Sequence, residues 1–166
     1  MKNTLYARDT LEKQTANAIF DSDTYHPIFE QDLREAAETV VISSPTLSRK
    51  RVERLIELLC PAQERGLKAA VITWHPDLYR YGNDENRLLL LESLRTAGFE
   101  IRYAEDNCQH FAVIDEKIVW YGSMNLLSRD DVEDNIMRLE SREVAEELLG
   151  MATNNACFNG KMVGEN

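Results

Sequence analysis

The sequence lacks several features that would assign it to a specialised class of protein. It has no run of eighteen or more apolar residues, which argues against a transmembrane helix. Its first residues lead into no hydrophobic signal segment, so we predict a cytoplasmic protein without membrane association. The three cysteines, Cys60, Cys108 and Cys157, are odd in number and widely spaced, which argues against a disulfide framework.

The sequence is also poor in positive charge. It has 29 acidic and 19 basic residues, a net charge of −10. Proteins that bind the phosphate backbone usually present clustered Lys and Arg, whose binding releases counterions. Here the one basic cluster consists of Arg49, Lys50, Arg51 and Arg54. We therefore predict modest non-specific affinity for nucleic acid unless this cluster borders a site, and a solvated helix start explains it equally well.

The patterns that are present indicate an α/β domain. With 166 residues, of which 43% are hydrophobic, the chain is large enough to bury one core. Residues 1–151 are predicted to form a single domain, and residues 152–166 a polar tail without periodicity. Helical spacing occurs weakly in 5–20, then after Pro27, after Ser48, around 88–94 and after Val144. Strand patterns occur in 40–42, 69–74, 99–103, 111–114, 118–121 and 135–139.

The most informative stretch runs from Cys108 to Asp115 and on to Gly122-Ser123-Met124-Asn125. Its spacing resembles the signature of the phospholipase D superfamily, which is His-x-Lys, four residues, Asp, six residues, then Gly-Ser-x-Asn. All the intervals fit, but Cys108 stands in the histidine position and His110 in the lysine position. In the alternative register, with His110 as the histidine, Lys117 would take the aspartate position and the interval to Gly122 would be wrong.

The resemblance extends further along the chain. Residues 118–128 look like a bacterial branch of the family that is often attached to helicase-like ATPases, and residues 133–138 resemble the acidic segment of that branch. Glu133 matches an acidic position that helps to orient the site. The resemblance implies a phospholipase D-like layered α/β domain with a central mixed sheet flanked by helices. It also implies metal-independent cleavage of phosphodiesters, most plausibly of nucleic acid, with no cofactor and with a helicase-like ATPase as a candidate partner.

A single copy of the motif bears on assembly. Enzymes of this superfamily build one site from two copies, so a chain with one copy resembles the small nucleases that pair two subunits. The resemblance therefore implies a homodimer with the site at its two-fold axis, where two Cys108 and two His110 residues would meet.

The family also implies a role for each motif residue. One histidine attacks phosphorus and the opposite one protonates the leaving oxygen, while lysines and asparagines bind the phosphoryl oxygens. The candidate catalytic residues are therefore Cys108, His110 and Asp115, the phosphate-binding ones Ser123 and Asn125, and the supporting one Glu133. Because the histidine and the lysine are both replaced, we expect a weakly active or inactive site.

Other interpretations of these residues stay open. Two residues apart on a strand, Cys108 and His110 would share a face, and a thiolate beside an imidazolium could act as a nucleophile. Alternatively, the domain is a non-catalytic module that binds nucleic acid or a protein partner. Ser123, Asn125 and Asp115 could simply be turn residues. A zinc site formed by Cys108 and His110 with Cys60 or Cys157 lacks the usual paired ligand spacing.

Overall fold

The computed structural model describes residues 17–78, 84–105, 108–128, 133–154 and 156–158. Within these residues eight strands are present: β1 (Ala18–Asp21), β2 (Thr39–Ser43), β3 (Lys68–Trp74), β4 (Glu100–Ala104), β5 (Phe111–Ile114), β6 (Ile118–Gly122), β7 (Asn135–Glu140) and β8 (Ala156–Phe158). The same residues form four α-helices: α1 (Tyr25–Glu35), α2 (Arg49–Glu64), α3 (Asp84–Thr96) and α4 (Arg142–Asn154). A short 3₁₀ helix, Pro76–Leu78, follows β3.

All eight strands belong to one mixed sheet in the order β1-β7-β6-β5-β2-β3-β4-β8. The neighbours β2, β3 and β4 are parallel, whereas the other pairs are antiparallel. Helices α1, α2 and α3 pack on one face of the sheet, and α4 packs on the other. The predicted α/β layered fold with a central mixed sheet flanked by helices is therefore confirmed.

Local sequence accounts for most of these elements. The β-branched run Val40–Ile42 is almost completely buried in β2, as a strand covered on both faces should be. Ser48 caps α2, because its hydroxyl accepts a hydrogen bond from the backbone N–H of Arg51 at 3.4 Å. Gly98, with φ +85°, supplies the left-handed residue that follows α3.

Two parts of the chain differ from the prediction. The weak helix expected over 5–20 is wrong for its last residues, because Ala18–Asp21 form β1 and pair with β7; its earlier residues lie outside those described. At the other end, α4 continues to Asn154 and β8 pairs with β4, so regular structure extends beyond residue 151. The expected boundary between domain and tail stays a prediction.

The core on the side of α1 contains a buried ion pair. Asp32 of α1 accepts hydrogen bonds from Arg138 Nε at 2.7 Å and Nη2 at 3.0 Å, and from Trp120 Nε1 at 2.8 Å. The side chains of Asp32 and Arg138 are each 2% exposed. Such a pair is tolerated in a core because both charges are hydrogen-bonded to each other. It ties α1 to β6 and β7.

None of the helices in the described ranges is long and apolar enough to cross a membrane.

Candidate functional site

The strand directions bring the motif residues other than Asp115 to one edge of the sheet. Strands β2, β3, β4 and β6 end there, while β5 and β7 begin there. Residues 108–110 lie immediately before β5, and residues 123–125 immediately after β6. The two halves of the motif therefore meet although they are separated in sequence. We call this edge the His110 end of the sheet.

Cys108 lies in an extended segment before β5, so strand alternation does not decide its direction. Its sulfur lies 3.5 Å from Ser43 Oγ and 3.8 Å from the carbonyl oxygen of Ile72. It therefore points towards β2 and β3, on the side of the sheet that α4 covers. The adjoining cavity measures about 10 Å³, room for roughly one water molecule and too little for a phosphate group.

Burial controls the ionisation of this thiol. Desolvation raises the pKa of Cys108 to about 11, although the hydrogen bond with Ser43 and the positive charge of Arg87 act in the opposite direction. At neutral pH only about one thiol in 10⁴ would be ionised. Cys108 therefore faces a packed interior as a neutral thiol.

His110 is directed to the opposite neighbour of β5. Its Nδ1 lies 2.7 Å from the carbonyl oxygen of Ser123, in the segment after β6. Its own carbonyl accepts a hydrogen bond from the backbone N–H of Gly122 at 3.3 Å. The thiol of Cys108 and the imidazole of His110 thus make their hydrogen bonds on opposite sides of β5. The structure joins His110, rather than Cys108, to the Gly-Ser-x-Asn element.

Ser123 and Asn125 differ in how fully they are bonded. The hydroxyl of Ser123 accepts from the backbone N–H of Asn135 at 3.1 Å, which fixes the start of β7 against the end of β6. The side chain of Asn125 is half-buried, and its Oδ1 is buried without a hydrogen-bond partner among the described residues. A buried amide oxygen without a partner is unfavourable for stability. The amide oxygen can only accept, so the group that Asn125 could offer to an anion is its Nδ2 donor.

Asp115 lies at the other end of β5, about 16 Å along the strand from His110. It occupies the turn to β6 with φ 52°. Its Oδ1 accepts from the backbone N–H groups of Glu38 at 2.7 Å and Thr39 at 3.0 Å, and its Oδ2 accepts from Ala37 at 3.0 Å. The structure does not bring Asp115 together with the other motif residues, and its contacts are those of a residue that shapes the chain before β2.

Glu133 returns to the His110 end at the beginning of β7. Its side chain is exposed, and its carbonyl oxygen accepts from Asn135 Nδ2 at 3.3 Å. Because the backbone of Asn135 bonds the hydroxyl of Ser123, Glu133 is two residues from the motif's contact with β7. It is placed near the site.

Two polar residues outside the motif also lie at this edge, and of these sequence reasoning missed Arg87. Ser43, the last residue of β2, is 1% exposed and hydrogen-bonds the carbonyl oxygen of Gln109 at 2.6 Å. Arg87 of α3 is 5% exposed and donates from Nη2 to Trp74 O at 2.6 Å and Thr73 Oγ1 at 2.9 Å. Its position four residues before Leu91, on the buried stripe of α3, was the available signal.

The basic cluster begins beside this edge, since the backbone N–H of Ser48 donates to Leu127 O at 2.7 Å. Two of its four charges, those of Arg49 and Arg54, are paired with acidic residues. Arg49 pairs with Glu53 at 2.7 Å. Arg54 pairs with Glu30 at 2.8 Å and lowers the pKa of that carboxyl through the hydrogen bond. The cluster therefore adds less positive potential than its composition suggests.

The described side chains contain no group of three His, Cys, Asp or Glu placed to hold a metal ion. Cys60, which was considered as a zinc ligand, is exposed on α2. The side chain of Cys157 lies outside the described part of the chain.

Comparison with known proteins defines the class of this chain. The family model for the cardiolipin synthase, PLD-like domain matches residues 29–152, about three quarters of the sequence. The chain therefore belongs to this phospholipase D-like domain family, which confirms the resemblance drawn from the motif. No curated protein matches the chain.

Solved structures show the same fold at low sequence identity. Nuc from Salmonella typhimurium, a phospholipase D family member, is 12% identical with a TM-score of 0.68, over 88% of this chain and 99% of its own. NucT from Helicobacter pylori is 16% identical with a TM-score of 0.63, over 84% and 94%. The archaeal chromatin protein TrmBL2, described with a novel mode of DNA binding, is 13% identical with a TM-score of 0.57, over 92% and 62%.

Proposed function

We propose that this domain binds nucleic-acid phosphodiesters at the His110 end of the sheet and cleaves them slowly or not at all, without a metal. One observation carries the proposal. The 2.7 Å hydrogen bond between His110 and Ser123 joins the two halves of the motif across thirteen residues of sequence. It places an imidazole beside a turn that contains the half-buried side chain of Asn125. The imidazole N–H and the NH2 group of this amide are donors, which the charged oxygens of a phosphate require.

The expectation of weak activity follows from the two replaced residues. Donors that meet the charge developing on phosphoryl oxygens are often worth about 3 kcal/mol each. The histidine side chain is shorter than that of the family lysine, and its imidazole carries a full positive charge only when protonated. Cys108 is a poor substitute for the histidine, because its thiol is neutral at pH 7 and faces a narrow cavity. This argues against the cysteine-nucleophile alternative.

A non-catalytic binding module is the second candidate, and the orientation of Cys108 favours it. With the thiol turned towards β2 and β3, the histidine position of the motif offers nothing to a phosphorus atom. TrmBL2, an archaeal chromatin protein described with a novel mode of DNA binding, has the same fold. This likeness supports a DNA-binding role for the present domain. A helicase-like ATPase remains the proposed partner, in a bacterial and cytoplasmic setting.

We further propose that two copies of the chain associate, since one copy supplies only one motif. A site at a two-fold axis would bring two His110 residues and two Asn125 residues to one phosphate. Size-exclusion chromatography with light scattering should give twice the mass of 19.1 kDa. A strict monomer at micromolar concentration would contradict the composite site. Binding would then have to occur at the His110 end of a single chain.

The binding proposal is tested with labelled single- and double-stranded oligonucleotides, measured by fluorescence anisotropy with a chelator present. Asn125→Asp should abolish binding, because a carboxylate repels phosphate at the proposed contact. Lys117→Gln makes the same change in net charge at the opposite end of the sheet and should retain binding. Equal affinities of the two variants would contradict the proposed location.

Cleavage is tested in the same buffer with bis-p-nitrophenyl phosphate and with DNA. The double variant Cys108→His with His110→Lys restores the family residues at both replaced positions. A gain of turnover over the wild-type chain would show that Ser123 and Asn125 still form a working cradle. Turnover in neither protein would leave the binding module as the function.

A further inference from the structure

The direction of one hydrogen bond determines which nitrogen of His110 carries a proton. The partner of Nδ1 is the carbonyl oxygen of Ser123, which can only accept. Nδ1 must therefore donate, so the neutral ring has its hydrogen on Nδ1 and its lone pair on Nε2. His110 is half-buried, which leaves part of the ring accessible. An oriented imidazole with an available Nε2 is the usual arrangement of a reacting histidine.

The carbonyl that orients His110 is itself held in place. The backbone N–H of Ser123 donates to Asn135 O at 3.0 Å, and the Ser123 hydroxyl accepts from Asn135 N–H at 3.1 Å. Gly122 allows this close approach, because a Cβ at that position would lie 2.2 Å from Asn135 O. The Gly-Ser pair thus aligns the carbonyl with the imidazole through β7. This is a rigid support of the kind that precise sites require.

From this geometry we infer that His110 is the reactive residue of the site, with Nε2 as the nucleophile and the carbonyl of Ser123 as the positioning group. The inference deepens the proposed phosphodiester site and rests on it. The reactive histidine would then lie two positions away from the family's histidine. Cys108 would serve only as a packing residue against β2 and β3.

The reaction balances with water as the only co-reactant. The Nε2 lone pair attacks the phosphorus of the diester, the N–P bond forms, and the P–O bond to the leaving group breaks. The departing alkoxide takes a proton from water. Nδ1–H keeps its hydrogen bond to Ser123 O and spreads the positive charge of the substituted ring. Water then attacks phosphorus, the N–P bond breaks, and its electron pair returns to Nε2 while a proton leaves to solvent.

The chain offers an internal control in His75. There the backbone N–H of Asp77 donates to Nδ1 at 3.2 Å, so the neutral ring has its hydrogen on Nε2. The two histidines should therefore show opposite tautomers. Long-range ¹H–¹⁵N correlation spectra at mildly alkaline pH distinguish them, with assignment by His110→Asn and His75→Asn. An Nε2–H tautomer at His110 would overturn the inference.

Reactivity is tested with phosphoramidate, a small donor that transfers its phosphoryl group to imidazole nitrogen and releases ammonia. Mass spectrometry should locate the label on His110, and it should persist in Cys108→Ser. His110→Asn retains an N–H that can donate to Ser123 O but removes Nε2, so the label should be lost while the fold is kept. The circular dichroism spectrum and unfolding midpoint of this variant check the fold.

Two labelling results would contradict the inference: a wild-type protein labelled at His75 as fast as at His110, and a label that disappears in Cys108→Ser. Neither depends on nucleic acid. If His110 is labelled as expected but oligonucleotides do not bind, the proposed substrate is wrong and the reactive histidine stands. If oligonucleotides bind and His110 is not labelled, the binding site stands and the inference fails.

Discussion

The two ends of strand β5 differ in how completely their polar groups are satisfied. At one end the carboxylate of Asp115 accepts from three consecutive backbone N–H groups, all at 2.7 to 3.2 Å. At the other end Asn125 Oδ1 is buried without a partner in the described residues, and so is Gln109 Oε1. The same motif supplies residues to both ends, so its members do not form one chemical group.

This difference separates stability from function within one motif. A fully bonded carboxylate at a turn holds the chain in place, whereas buried acceptors without a partner cost stability, as polar groups at functional sites often do. The contrast also accounts for Asp115 by its contacts with the chain before β2, without a role at the His110 end. Its contacts hold the connection between α1 and β2.

The largest expected loss of stability is at the Asp115 end of β5. Asp115→Ala removes the acceptor of three backbone N–H groups and places alanine at φ 52°, so we expect a loss of about 3 kcal/mol in the free energy of unfolding. Urea unfolding followed by circular dichroism measures this. Oligonucleotide affinity of the folded protein should not change.

Asp115→Asn is the matched control, because asparagine keeps an oxygen acceptor and tolerates a positive φ. It should lose about 1 kcal/mol, the difference between a charged and a neutral acceptor. If Asp115→Ala instead abolished binding while the protein remained as stable as the wild type, the assignment of the two ends would have to be reversed.

The Cys108 thiol is expected to make an intermediate contribution to the free energy of unfolding, and this contribution depends on pH. Below about pH 9 the thiol is protonated in both the folded and the unfolded chain. Between that pH and about 11, the raised pKa of the folded state, the unfolded thiol ionises while the folded one does not. The free energy of unfolding therefore falls as pH rises through this window, by roughly 2 kcal/mol from this group.

The Cys108→Ala variant isolates this contribution, since other groups also titrate in alkaline solution. Urea unfolding of both proteins at several pH values should show a steeper decline for the wild type. Parallel curves would mean that the thiol is as well solvated in the folded chain as in the unfolded one. In that case the argument against a thiolate nucleophile would no longer hold.

Sequence patterns predicted the parts of the fold that depend on local periodicity. The buried run of β2, the hairpin of β5 and β6 and the apolar stripe of α2 each follow from spacing alone. Strand β1 was missed because its partner β7 is more than a hundred residues away and four residues carry little signal. Strand β8 is shorter still.

The site was predictable as a set of spacings but not as a geometry. Motif intervals identified His110, Ser123 and Asn125, which lie at one edge, but they also included Asp115, which lies at the other end of β5. They could not show that Cys108 and His110 bond on opposite sides of β5, since the segment before the strand has no fixed alternation. Nor could they show that Arg87 is buried while Leu88 is 53% exposed; the acceptors at Thr73 and Trp74 decide this.

The smallest expected effect on stability is at Asn125. Asn125→Leu replaces a buried amide oxygen that has no partner with an apolar group of similar volume, so stability should change by less than about 1 kcal/mol and could increase. Oligonucleotide binding should be lost. Ser123→Ala is the control, because it removes the acceptor of Asn135 N–H and should cost about 1 kcal/mol. A loss at Asn125→Leu as large as that of Asp115→Ala would show that the amide is structural, because only a satisfied group is so expensive to remove.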